Sequence, residues 1–422
     1  MPDFLRRIID FATRHTQIDF HYLAKGGFWS SVDFVIGSVL SFVLLYVFAN
    51  FLPQETFGTY KYVLSLVGFL SFVTLTGINS AVVQAAAKSA SNGILPYAVR
   101  LQFKWNFLFT LAAGGLGGYY FLNGNQSLAY ALWLMAAVYP FDILLNTYGP
   151  FLVGKKDFKR GTIYGSTTNI IHMSALIIAA FLSDKVFVLL AVYILFRILP
   201  NLYFYLRTVS VFRPEPLGRD EKQEIFSFAR HLSFIHILSI LAHHLDKIII
   251  FNYAGPVNLA VYGIATAIPD RIRAYFKNIG GVMLPKISGK SIEEIKPVFY
   301  KRIWQGMLLG SVASLAYILA APFIFKVFFP AYLESVPFSQ VFSLSLVFII
   351  PATYFANVVY SQKMMKVIYL SSMGGNAFRI ALYLILGRLW GVWGVILANL
   401  LLYVFGTAYN LILWRMEMRR KK

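Results

Sequence analysis

The stretch "LAHHLDKIIIFNYAGPVNLAVYGIATAIPDRIRAYFK" (Leu241–Lys277) sets two apolar runs on either side of a short turn at Gly255 and Pro256. The runs extend over 231–253 and 258–283, each long enough to cross a ~30 Å hydrocarbon layer as an α-helix. Inside the first lie His243, His244, Asp246 and Lys247, and inside the second Asp270, Arg271 and Arg273. Ionisable side chains at membrane depth are rare and costly. They face a bundle interior or water and are functional candidates by default.

The rest of the chain repeats this pattern. Of 422 residues, 58% are hydrophobic and only 13% charged, too little charge for the surface of a soluble fold of this length. Apolar runs fall at 26–49, 57–82, 103–122, 127–152, 162–182, 186–207, 231–253, 258–283, 303–326, 337–360, 367–387 and 391–414. An all-α polytopic membrane protein of twelve transmembrane helices is expected.

The basic residues test that count. Assigned to alternating loops, 29 Lys and Arg fall on the side holding the N-terminus, and only Lys185, Lys326 and Arg388 on the other. The positive-inside rule then puts both termini in the cytoplasm. The same asymmetry accounts for the net charge of +20 without nucleic acid as a partner. The chain has no cysteine, which excludes disulfides, thiolate chemistry and Cys-ligated metals.

The organisation expected along the chain has five parts. Residues 1–25, with Phe4, Ile8 and Phe11 interleaved with Arg6, Arg7 and Arg14, read as an amphipathic interfacial segment and not as a signal peptide. A first six-helix lobe spans 26–207, a polar cytoplasmic linker 208–230, a second six-helix lobe 231–414 and a basic tail 415–422. Two motif pairs recur between the lobes: "FANFLPQETFGTY" (48–60) with "FNYAGPVNLAVY" (251–262), and "KSASNGILPYAVRLQFKW" (88–105) with "KSIEEIKPVFYKRIW" (290–304). Such repeats imply pseudo-symmetric lobes related by an axis along the membrane normal.

On a helical wheel of the seventh span, His236, His243, Lys247, His244, Asp246, Ser233 and Ser239 share an arc of about 160°, which should line a hydrated cavity. Asp246 and Lys247 are not expected to pair, because adjacent helical residues do not face each other. Adjacent histidines also point apart, so no metal site is expected. In the eighth span Pro269 should kink the helix beside Asp270, Arg271 and Arg273, of which the arginines suit an anion. Arg197 and Arg379 lie too deep to reach the interface easily, and an acid such as Asp142 could pair with them. Lys61 sits near the outer end of the second span, where its stem can snorkel. Asp33 fits either a proton or cation site or a salt bridge, and His172 a hydrogen-bonded core position. Six cations within spans against four acids make the interior basic, so the passenger should be anionic, with phosphate or pyrophosphate suiting the arginines.

With "FWSSVDFVIGSVLSF", "LPQETFGTYKYVLSLVGFLSFVTLTGINSA" and "LDKIIIFNYAGPVNLAVYGIATAI" in the first, second, and seventh and eighth spans, the chain resembles the Wzx-type polysaccharide (O-antigen) repeat-unit flippases of the MOP exporter superfamily. The resemblance implies a MATE-like fold in the inner membrane and movement of undecaprenyl-diphosphate-linked oligosaccharide to the outer leaflet by ion-coupled alternating access. It implies a monomer without cofactors, working beside membrane lipid and other polysaccharide assembly proteins. Arg271, Arg273, Lys247, Lys61, Arg197 and Arg379 are then the substrate-binding candidates. Asp33, Asp246, Asp270, Asp142, His243, His244 and His236 are the coupling candidates. The alternatives are a multidrug or metabolite cation antiporter of the same superfamily, which would want an acidic or apolar cavity, and a membrane glycosyltransferase or polymerase. An enzyme of that kind needs sizeable outer loops, whereas "NFLPQET", "NGNQ", "SDK" and "NYAGPV" are small.

Overall fold

The computed structural model describes residues 20–88 and 91–420, so most of the interfacial segment expected at 1–25 lies outside the described residues. Nine helical segments among the described residues are long and apolar enough to cross a membrane. Two of them, Arg219–Asn278 and Met365–Arg419, have 60 and 55 residues. At ~1.5 Å per residue each is far longer than a ~30 Å core, so each must cross twice. The breaks lie at Gly255 (φ 88°) and Gly391 (φ 55°), left-handed positions that glycine adopts without a Cβ penalty. Ile94–Leu122 adds a further 29-residue crossing, whose glycines at 114, 115, 117 and 118 dilute its hydropathy.

Among the described residues twelve crossings follow in chain order. They are α1 (Phe20–Phe51), α2 (Gln54–Leu70, resuming as Ile78–Lys88), α3 (Ile94–Leu122), α4 (Gln126–Leu145 and Tyr148–Gly154), α5 (Phe158–Leu182) and α6 (Val186–Phe212). Next come α7 (219–254), α8 (256–288), α9 (Ile292–Phe328), α10 (Ser335–Ser343 and Leu346–Ser361), α11 (365–390) and α12 (392–420). Along α9, Leu308, Val312, Leu315, Leu319 and Phe323 form a stripe at three- and four-residue spacing that is 59–72% exposed, a surface suited to lipid.

The second span, read from the sequence as continuous over 57–82, is broken. A 3-10 turn at Ser71–Val73 ends in extended Thr74, whose hydroxyl bonds back to the Ser71 carbonyl at 2.7 Å. Gly77 then donates its N–H to Ser233 Oγ at 2.9 Å, and a Cβ there would lie 2.4 Å from the Ala229 carbonyl oxygen. Pro269 keeps helical dihedral angles, and the non-helical residue in that segment is Gly255.

The helices group into two compact units, 1–44 with 70–236 and 45–69 with 237–422. The first has a core around Leu75, Val82, Phe151, Leu152 and Ala229. The second has one in which Phe299 and Trp414 stack 4.0 Å apart beside Val358 and Leu413. Segment 45–69 joins the second unit through the repeated motifs themselves. Tyr62 stacks on Phe251 at 3.6 Å, and Gly58 is so close to the turn that a Cβ would fall 1.8 Å from the Pro256 carbonyl oxygen.

Membrane helices containing proline leave one carbonyl without its helical donor, a large cost where no water can replace it. Each unit answers this with a side chain from a neighbouring helix. Pro140 frees the Ala136 carbonyl, which accepts from Thr110 Oγ1 at 3.0 Å. Pro322 frees the Ile318 carbonyl, which accepts from Gln340 Nε2 at 3.0 Å.

Candidate functional site

In the second unit, the α7–α8 hairpin holds Asp246 at 6% exposure. Its carboxylate takes the Lys247 ammonium at 3.2 and 3.3 Å and accepts from the Tyr262 hydroxyl at 2.8 Å. The pairing of Asp246 with Lys247 corrects the expectation from the helical wheel. The four-carbon lysine stem is long enough to fold back onto the neighbouring carboxylate, whatever the directions of the two Cα–Cβ bonds. Tyr262, sixteen residues on, was not singled out in the sequence, and it completes a nearly neutral triad.

Lys61 of α2 packs beside this hairpin. Its ammonium lies 5.3 Å from the centre of the Phe57 ring, and a Cβ on Gly263 would sit 3.8 Å from its Cε. The charges of Lys247 and Arg271 both act on Lys61. Neither Lys61 nor the exposed Arg271 has a carboxylate partner among the described residues.

Arg273 belongs to a different face of α8. It pairs with Asp270, donates to the Tyr403 hydroxyl at 3.0 Å, and lies 4.4 Å from the Phe342 ring centre and 5.3 Å from that of Tyr403. Residues two apart on a helix point about 200° apart, so Arg271 and Arg273 do not form one clamp.

Of the histidines on α7, His243 is exposed and His244 half-buried, their rings edge-to-face at 5.0 Å. His244 fills the space left by Gly68, where a Cβ would be 2.3 Å from its Cε1. Arg379 of α11 is half-buried, and its Nε has no hydrogen-bond partner among the described residues. One turn further, Tyr383 donates to Asn399 at 3.0 Å.

The first unit holds the remaining candidates, Asp33, Asp142, Arg197 and His236. Asp142 of α4, 2% exposed, is bonded by Arg197 Nε at 3.2 and 3.0 Å and by Asn201 Nδ2 at 3.0 Å. Arg197 also donates to Tyr193, and Tyr148 donates to Asn201 at 3.1 Å, which closes the network. Arg197 and Asp142 therefore serve one another. Asp33 accepts from Ser166 Oγ at 2.8 Å, and His236 is half-buried. His172 departs from its expected hydrogen-bonded role. It is buried edge-on to Tyr193 at 4.8 Å, and its Nε2 has no partner among the described residues.

Among the described residues no group of three or more His, Asp or Glu could hold a metal ion. The arrangement offers instead the Asp142–Arg197 pair in the first unit and, in the second, the Asp246–Lys247 and Asp270–Arg273 pairs with cations in excess of those carboxylates.

Comparison with known proteins places these features in a family. Residues 23–290 match the family described as polysaccharide biosynthesis protein. No curated protein matches by sequence. Among solved structures, an inward-facing multidrug resistance MATE family transporter of the MOP superfamily is similar with a TM-score of 0.64 and 13% identity, over 92% of this chain and 96% of that one. The lipid II flippase MurJ, in an inward closed conformation, is similar with a TM-score of 0.65 and 14% identity, over 90% of this chain and 86% of that one. A MOP superfamily transporter from Pyrococcus furiosus, described as having a binding pocket of reverse polarity, is similar with a TM-score of 0.54 and 13% identity, over 92% and 95% of the two chains.

Proposed function

The chain belongs to the polysaccharide biosynthesis protein family, and from that premise we propose that it is a flippase for undecaprenyl-diphosphate-linked oligosaccharide repeat units. It carries them from the cytoplasmic to the outer leaflet of the inner membrane by alternating access, with both termini in the cytoplasm. The fold is that of the MOP superfamily transporters. It does not choose between drug and lipid-linked passengers, because the scores of 0.64 and 0.65 are equivalent.

Charge supports the choice. Lys61, Lys247 and Arg271 come from three helices of one unit, and Asp246 is the carboxylate bonded to any of them among the described residues. Such a cluster repels a cationic drug and attracts a diphosphate, whose oxygens meet a guanidinium in pairs. This cluster is the observation on which the flippase reading rests. Lys61 and Arg271 take the diphosphate, and Lys247, held by Asp246, adds field more than contact. Asp33 with Ser166, and the histidines of α7, are the groups that exchange a coupling ion. Asp142 and Arg197 hold α4 to α6 and take no part. Function as a transporter and not an enzyme accords with the family and with the structural neighbours.

The test is to assign the leaflet of the lipid-linked oligosaccharide in cells lacking the protein. Retention in the inner leaflet is expected. Repeat units reaching the outer leaflet at the normal rate would overturn the proposal.

A further inference from the structure

The two faces of α8 lead to different surroundings. Arg271 is exposed and its field acts on Lys61 of α2, whereas Arg273 packs on Phe342 and Tyr403. Lys277 follows Arg273 by four residues and shares its face. Tyr403 accepts from Arg273, and the Tyr383–Asn399 bond between α11 and α12 sets Arg379, one turn before Tyr383, level with Tyr403, one turn after Asn399. The fields of Lys277 and Arg379 also act on His243.

The carboxylates of this region are already engaged, Asp246 by Lys247 and Asp270 by Arg273. Lys277 and Arg379 have no carboxylate partner among the described residues, and the Arg379 Nε is buried without an acceptor. A buried guanidinium N–H left unpaired carries a desolvation cost that an acceptor would remove. Space for such an acceptor adjoins it. Gly375, one turn before Arg379, and Gly406, one turn after Tyr403, are both half-covered, yet a Cβ on either would meet no atom within 4 Å.

We propose that the space bounded by Arg379, Lys277, His243 and Tyr403 is a second anion site, separate from the Lys61–Arg271 cluster, which takes a single carboxylate or phosphate group. The anion is either a charged group on the passenger's sugars or a free inorganic ion. The first case rests on the flippase reading and the second does not.

The experiment measures thermal unfolding of the purified full-length protein with inorganic phosphate, glucuronate, glucose as the neutral control, and chloride at matched ionic strength. A saturable rise in Tm with phosphate or glucuronate, absent with glucose and chloride, is expected. Phosphate alone identifies a free ion, glucuronate alone an acidic sugar, and both a general anion site. Arg379→Gln should weaken the apparent affinity roughly tenfold or more, as expected for a lost charge-assisted bond. Gly375→Leu should do the same by filling the space while every charge is kept. Gly118→Leu, which fills comparable open space on α3 of the first unit, should leave the response unchanged. No anion effect in the wild type, a wild-type response in Gly375→Leu, or loss in Gly118→Leu with retention in Arg379→Gln would each overturn the second site. Should Arg379→Gln fail to fold, Gly375→Leu and Gly118→Leu still decide. Flipping is measured separately, so either idea can fail alone.

Discussion

Asp246 and Tyr262 are joined across the α7–α8 hairpin by a hydrogen bond of 2.8 Å, with Lys247 completing the carboxylate's shell. A bond to a charged group is worth more than a neutral one, so Tyr262→Phe should cost about 1.5–3 kcal/mol. Asp246→Asn leaves the Lys247 ammonium unpaired. Because the Lys247 side chain is 28% exposed, water offsets part of that loss, and about 2 kcal/mol is expected. The double variant Asp246→Asn with Lys247→Met should melt above the single Asp246→Asn, since it removes both charges together. Melting temperatures in detergent check the order.

The carbonyl freed by Pro140 gives a test with an internal control. Thr110→Val removes its donor and should cost about 1–3 kcal/mol, the penalty for an unsatisfied buried group. Placed on Pro140→Ala, which restores a backbone N–H at that position, the same substitution should cost much less. Equal costs in the two backgrounds would show that Thr110 is only packing.

Much of the fold is legible because hydropathy reports composition directly. The twelve runs, the Gly255–Pro256 turn and the depth of the charges all read from local sequence. The break in α2 does not, because a sliding average sees the apolar content of 57–82 and not the backbone choice made at Thr74 and Gly77. At the site, Arg197 and Asp142 could be matched as an acid and a base at membrane depth. The wheel failed for Asp246 and Lys247 because it tracks Cβ directions and ignores the reach of a lysine. Phe342 and Tyr403 around Arg273 gave no signal, since aromatic residues are too common in the spans to single out two.

The Asp142–Arg197 pair should matter for stability and not for transport. Asp142→Asn leaves a guanidinium without its counter-charge beside a carboxyl site that is 4% exposed, and a loss of about 3 kcal/mol is expected. Replacing the pair by Asp142→Leu with Arg197→Met should recover part of it. Flipping by the folded double variant should match wild type. Loss of flipping at wild-type expression would move the pair into the transport machinery.

Because Arg271 and Arg273 face opposite sides of α8, alanine at each should give different phenotypes. Arg271→Ala should reduce pyrophosphate affinity roughly tenfold, about 1.4 kcal/mol, with little change in Tm. Arg273→Ala removes the bond to Tyr403, the pairing with Asp270 and the stacking on Phe342, and should lower Tm while pyrophosphate binding persists. Titration of the purified variants with pyrophosphate, beside their melting curves, separates the two.

Two glycine-to-alanine substitutions should change stability in opposite directions. In a helix interior the exchange gains about 1 kcal/mol in backbone entropy, provided the new methyl has room. At Gly375 no atom lies within 4 Å of the Cβ position, so Gly375→Ala should raise Tm. At Gly58 the methyl would fall 1.8 Å from the Pro256 carbonyl oxygen, a backbone atom in a turn with little freedom to retreat. Overpacking of that kind costs about 1–3 kcal/mol, which exceeds the propensity gain, so Gly58→Ala should lower Tm by separating α2 from the hairpin it packs against. A stabilised Gly58→Ala protein would mean that the Tyr62–Phe251 stack does not hold those segments together.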